Sequence, residues 1–72
     1  MNETFEAVVF GRSEGIWKIL ARKRTGEVGQ GLRWAQSEMH RLGTLQFYQR
    51  LRARVISSCD PATAEVVLAS LG

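Results

Sequence analysis

The stretch LQFYQRLRARVI, Leu45–Ile56, decides the fold of this chain. Leu45, Phe47, Leu51, Ala53 and Val55 fall on odd positions, with Gln46, Arg50, Arg52 and Arg54 between them. That is the two-residue period of a strand with one buried and one wet face. Gln49 is the odd position that breaks the alternation. A helix is the competing reading, because Tyr48, Leu51 and Val55 also match helical spacing. On that helix Arg50, Arg52 and Arg54 would be scattered around a cylinder. On the strand they stand in a row on one face, with Tyr48 ahead of them. We read the stretch as a strand.

Upstream, Leu32, Ala35, Met39 and Leu42 recur at three and four residues, which predicts a helix over Leu32–Leu42 with Gly43 as its stop. Trp34 lies off that stripe, either folded over a sheet edge or exposed as an aromatic anchor. Downstream, Asp60 and Pro61 form an N-cap and first-turn pair opening a last helix. Ala62, Val66 and Ala69, with Val67 and Leu71, give that helix apolar faces, so it packs on the body or on a partner.

Before the first helix, TGEVGQG (Thr25–Gly31) is a glycine-rich connection. It lacks the endings and spacing of the nucleotide-binding loops, and a plain loop is a better reading than a phosphate cradle. Ile16–Lys23 fits either a helix capped by Ser13 or a strand with Trp17, Ile19 and Ala21 facing inward. Thr4–Phe10 reads as a strand that needs a hydrogen-bonding partner, and the nearest one lies across the short Gly11–Gly15 loop. A hairpin follows. The expected architecture is a single α+β domain over residues 1–72, a small, mainly antiparallel three-stranded sheet with two helices in the order β-β-α-β-α. Its first helix is expected to meet Trp17, Ile19, Leu51, Ala53 and Val55. An all-α protein is the alternative.

The formal charge is +3 over 72 residues, but all ten basic side chains lie between Arg12 and Arg54, opposed there by Glu14, Glu27 and Glu38 alone. A field so concentrated steers a protein toward nucleic acid or an acidic protein surface, although ordinary solubility charge explains it too. Arg22, Lys23 and Arg24 end the second strand, and Arg50, Arg52 and Arg54 line the third. With Trp34 and Tyr48 they form the expected partner-binding set. The single cysteine, Cys59, has no disulfide or zinc partner, and no apolar run is long enough to span a bilayer, so a cytoplasmic protein without cofactor or metal is expected. His40 is two residues from Glu38, on another side of the helix, and Ser57, Ser58 and Cys59 carry no nucleophile motif. No catalytic residue is expected.

The run FEAVVFGRSEGIWKILARKR, continued by GLRWAQSEMHRLG and on to the C-terminal end, resembles the small early regulators with which lytic bacteriophages, Xanthomonas-infecting phages among them, redirect host RNA polymerase. The likeness covers nearly the whole chain and contains no short diagnostic motif. It implies a non-catalytic protein that binds the N-terminal region of the polymerase β′ subunit near the RNA exit channel. Such a protein inhibits promoter initiation by the host enzyme and promotes antitermination, and nascent RNA or DNA is a further partner to consider. The alternative is a small basic DNA- or RNA-binding protein such as a repressor.

Overall fold

The computed structural model describes residues 4–57 and 61–71, so Ser58, Cys59 and the Asp60 cap lie outside the described residues. The elements are β1 (Phe5–Ser13), β2 (Ile16–Thr25), α1 (Val28–Gly43), β3 (Arg50–Ile56) and α2 (Pro61–Leu71). The three strands form one antiparallel sheet in the order β2-β1-β3. The α+β reading and the element order therefore hold.

β1 is central because both of its faces are apolar. Ala7, Val8, Val9 and Phe10 are all fully buried. Val9, with Ala35 and Leu42 of α1, builds the core on one face, joined by Leu20, Ala21, Leu51 and Ala53. Val8 and Phe10 build the other with Ala64 of α2, joined by Trp17, Ile19, Ile56, Val67, Leu68 and Leu71. Two helices thus sandwich a sheet whose middle strand is buried over Ala7–Gly11 and reaches water only toward its ends.

The hairpin is tighter than the Gly11–Gly15 loop expected. β1 continues through Gly11, Arg12 and Ser13, and only Glu14 and Gly15 turn. Both have positive φ, 56° and 78°, the pattern of a two-residue turn whose twist matches that of the flanking strands. Gly11 is needed for another reason. A Cβ there would collide with the Leu20 side chain and lie 3.0 Å from Tyr48 Cδ1.

Simple alternation fails in β2. The ladder pairs Val9 with Ala21 but Phe10 with Ile19, so Leu20 is an extra residue, a β-bulge. An inserted residue reverses the side-chain parity beyond it. Trp17 and Ile19 therefore pack under α2, whereas Leu20 and Ala21 pack under α1. The single inward row Trp17, Ile19 and Ala21, and the meeting of Trp17 and Ile19 with α1, are corrected accordingly.

α1 starts inside the glycine-rich segment, at Val28, and runs through Gly43. Gly31 is buried where the helix presses on the sheet: a Cβ there would sit 2.9 Å from Thr25 Cγ2 and 3.3 Å from Ala7 Cβ. The inward stripe is Gly31, Ala35 and Leu42 rather than one beginning at Leu32, which is 42% exposed. The helix ends by capping at Thr44, whose N–H donates to the His40 carbonyl while Leu45 N–H donates to that of Leu42, and Gln46 then reverses the chain with φ 54°. Gly43 is the last helical residue, so the helix stops where expected, although the cap is Thr44 and not a left-handed glycine. Leu45–Gln49 is consequently a connection and not the first half of the arginine strand. In α2 the inward positions are Ala64, Val67, Leu68 and Leu71, at helical spacing, and Val66 points outward.

Candidate functional site: an arginine-rich sheet face

The β1–β3 register runs without interruption from Glu6 opposite Ile56 to Arg12 opposite Arg50. Cross-strand partners project from the same face. Arg54 stands beside Val8, Arg52 beside Phe10, and Arg50 beside Arg12. Since Val8 and Phe10 lie beneath α2, the arginine row occupies the α2 face of the sheet. Successive arginines are about 6.8 Å apart along an extended strand. All three are exposed, and neither a salt bridge nor a side-chain hydrogen bond holds them to any described residue.

The bulge brings more charge to the same face. Beyond Leu20 the register sets Arg22 opposite Val8 and Arg24 opposite Glu6, so both share the face of the β3 arginines. A regular β2 would have kept Arg22 and Arg24 on the side opposite Trp17 and Ile19. Rows therefore run across the sheet as Arg22–Val8–Arg54 and Trp17–Arg12–Arg50. Arg12 completes the group, and Arg12 Nε is buried without a hydrogen-bond partner. It escaped the sequence reading because Gly11–Gly15 looked like loop, although its two-residue spacing from Val8 and Phe10 carried the signal.

One carboxylate enters this face. Arg22 Nε donates to Glu6 Oε1 at 2.9 Å, and Arg22 Nη2 lies 2.7 Å from the same oxygen. The pair fixes Arg22 in place and leaves Arg12, Arg24, Arg50, Arg52 and Arg54 without an ion-pair partner among the described residues. On the outer surface of α1, Arg41 donates to Glu38, and this bond together with the Glu38 charge raises the Arg41 pKa above its ordinary value.

The other three residues of the expected set lie elsewhere. Lys23 pairs with Ala7 and so belongs to the α1 side. Trp34 is half-buried against the Val9, Ala35 and Leu42 core. Tyr48 packs in that same core, above Gly11, and not ahead of the arginines on their face. The reason is the loop: β3 begins only at Arg50, so parity counted back from the arginines does not reach Tyr48. Phe47 meets Tyr48 edge to face, with centroids 5.1 Å apart, and is itself exposed. The loop is pinned to the hairpin, as Gln49 N–H donates to the Arg12 carbonyl at 2.7 Å and Gln49 Oε1 accepts from Gly15 N–H at 3.1 Å.

On the outer side of α1, His40 shares a shallow depression with Arg33, Gln36 and Ser37. No helix among the described residues is long and apolar enough to cross a membrane. No protein family, curated protein or solved structure matches the chain.

Proposed function

We propose that this protein is a non-catalytic regulator that binds bacterial RNA polymerase, at the N-terminal region of the β′ subunit near the RNA exit channel. There it inhibits promoter initiation by the host enzyme and promotes antitermination. The observation that carries the binding half of this reading is the exposed row Arg50, Arg52 and Arg54, reinforced by Arg24 on the same sheet face. Guanidinium groups bind carboxylates through a planar fork, and a row of them without an ion-pair partner among the described residues suits an acidic protein surface. The likeness of the sequence to small phage regulators supports the choice of polymerase as that surface.

Direct binding to DNA or RNA is the second reading. It is favoured by Trp17, which lies in one cross-strand row with Arg12 and Arg50. Basic and aromatic side chains together on a sheet also serve RNA recognition. A pull-down from bacterial lysate with and without nuclease separates the two. Polymerase subunits retained after nuclease treatment support the first reading, and loss of every partner with the nucleic acid supports the second.

A further inference from the structure

We propose that the free edge of β3 accepts an extended segment of the partner as a fourth strand, and that this segment alternates acidic and apolar side chains. The inference rests on the reading above, in which an acidic protein is the partner, and it specifies how that protein is held.

Among the described residues β3 pairs with β1 alone, so its other side presents backbone N–H and C=O groups that no described strand pairs. The two edges of this sheet are not equivalent. β2 carries a bulge and the lysines Lys18 and Lys23, devices that discourage strand addition. β3 has an unbroken register and no lysine. A groove of about 440 Å³ runs along it, lined by Leu32, Gln36 and Met39 of α1 and by the consecutive residues Leu51–Arg54 of β3. Leu32, Gln36 and Met39 recur at helical spacing, so α1 supplies a continuous wall. Its lining takes residues from both faces of β3, Leu51 and Ala53 from one and Arg52 and Arg54 from the other, which places it at the strand edge.

The two faces of an added strand would meet different chemistry. On the α1 side its side chains would enter the groove beside Leu32, Met39, Leu51 and Ala53. On the α2 side they would lie next to Arg50, Arg52 and Arg54. Because a strand alternates faces at every residue, its best sequence alternates apolar with Asp or Glu. A second copy of this chain fits poorly: edge-to-edge pairing of two β3 strands would set one arginine row beside the other, and like charges across strands repel.

The test is a titration of the ¹⁵N-labelled protein with a decapeptide of alternating Glu and Val. The control is its isomer with all Glu residues in one block and all Val residues in another. Two or three new cross-strand acid–arginine pairs predict binding about 10-fold tighter for the alternating peptide than for the block isomer. Every second β3 amide, the set facing away from β1, should gain protection from hydrogen exchange. Gln36→Trp, at an exposed helix position that walls the groove, should abolish both effects with the amide spectrum of the fold unchanged, and Leu32→Glu should do the same.

Equal binding of the two isomers would reduce the effect to charge adherence and overturn the proposal, as would binding without protection of β3. Protection that rises with protein concentration in the absence of peptide would give the edge to a second copy. Protection by a single-stranded RNA oligonucleotide would give it to nucleic acid. Either result overturns the proposal. Its failure can be told from that of polymerase binding. If Gln36→Trp retains polymerase as wild type does, the edge inference fails and the functional reading stands. If the alternating peptide binds as described but polymerase is not retained, the reverse holds.

Discussion

Gly11→Ala tests the packing created by the β2 bulge. The added methyl would collide with the Leu20 side chain and sit 3.0 Å from Tyr48 Cδ1, on a central strand that cannot move aside. Overpacking of this kind costs about 1–3 kcal/mol. Loss of glycine from the unfolded chain offsets it by about 0.4–1 kcal/mol. Leu20→Ala alone removes a half-buried side chain from the Val9 cluster. That should cost about 2 kcal/mol, the low end for Leu→Ala because burial is incomplete. In the double variant the alanine methyl at position 11 occupies space that Leu20 has vacated. The double variant should therefore be more stable than the sum of the two single changes by about 1–2 kcal/mol. Urea unfolding followed by tryptophan fluorescence reads this, since Trp34 belongs to the same cluster. In a domain of this size each 1 kcal/mol moves the midpoint temperature by about 4–8 °C. A strictly additive cycle would show that Leu20 does not lie over Gly11, and the assignment of the bulge would fall with it.

Phe10→Ala should destabilise by about 3–5 kcal/mol, a large share of the whole stability of so short a chain, because this fully buried ring fills the core beneath α2. Loss of cooperative thermal unfolding near room temperature is the expected result, and wild-type stability would refute that packing. Glu14→Asn should stabilise by a few tenths of a kcal/mol, since asparagine tolerates the φ of 56° at the hairpin turn better than glutamate. A lower melting temperature would contradict the turn geometry. Glu6→Gln removes the carboxylate that holds Arg22 at 2.7 Å. The pair is partly exposed, so stability should fall by no more than about 1 kcal/mol. Affinity for an anionic partner should rise about twofold as Arg22 is freed, and weaker binding in an equilibrium titration would contradict the placement of the partner on this face.

The element order was legible because its signals are local: apolar content in β1, period two in Leu51–Val55, and helical recurrence through Ala35, Met39 and Leu42. The arginine row was legible for the same reason. What escaped depended on contacts distant in sequence. No local pattern marks Leu20 as the inserted residue, because Trp17, Ile19 and Ala21 form a plausible alternation on their own. Only pairing with β1 shows the break, and that break decides which way Arg22 and Arg24 point. Gly31 looked like loop glycine, whereas its role is the close approach of α1 to Thr25 and Ala7. Tyr48 was misplaced by extending strand parity through residues that form a turn. Leu32 belongs to the α1 periodicity but lies where the sheet has ended, so it walls an open groove instead of a core.

In the proposed function the β3 arginines form a binding face for an acidic surface on RNA polymerase. The most direct measurement is an equilibrium titration of wild type and Arg50/Arg52/Arg54→Glu against purified bacterial RNA polymerase at several salt concentrations. All three positions are exposed, and each change should alter folding stability by no more than about 0.5 kcal/mol, which a urea melt of the variant verifies. Wild-type binding should weaken as salt rises, and the variant should lose at least about 10-fold in affinity at low salt, with a flatter salt dependence. Binding of the folded variant as tight as that of wild type, or no wild-type binding at any salt concentration, would contradict the proposal.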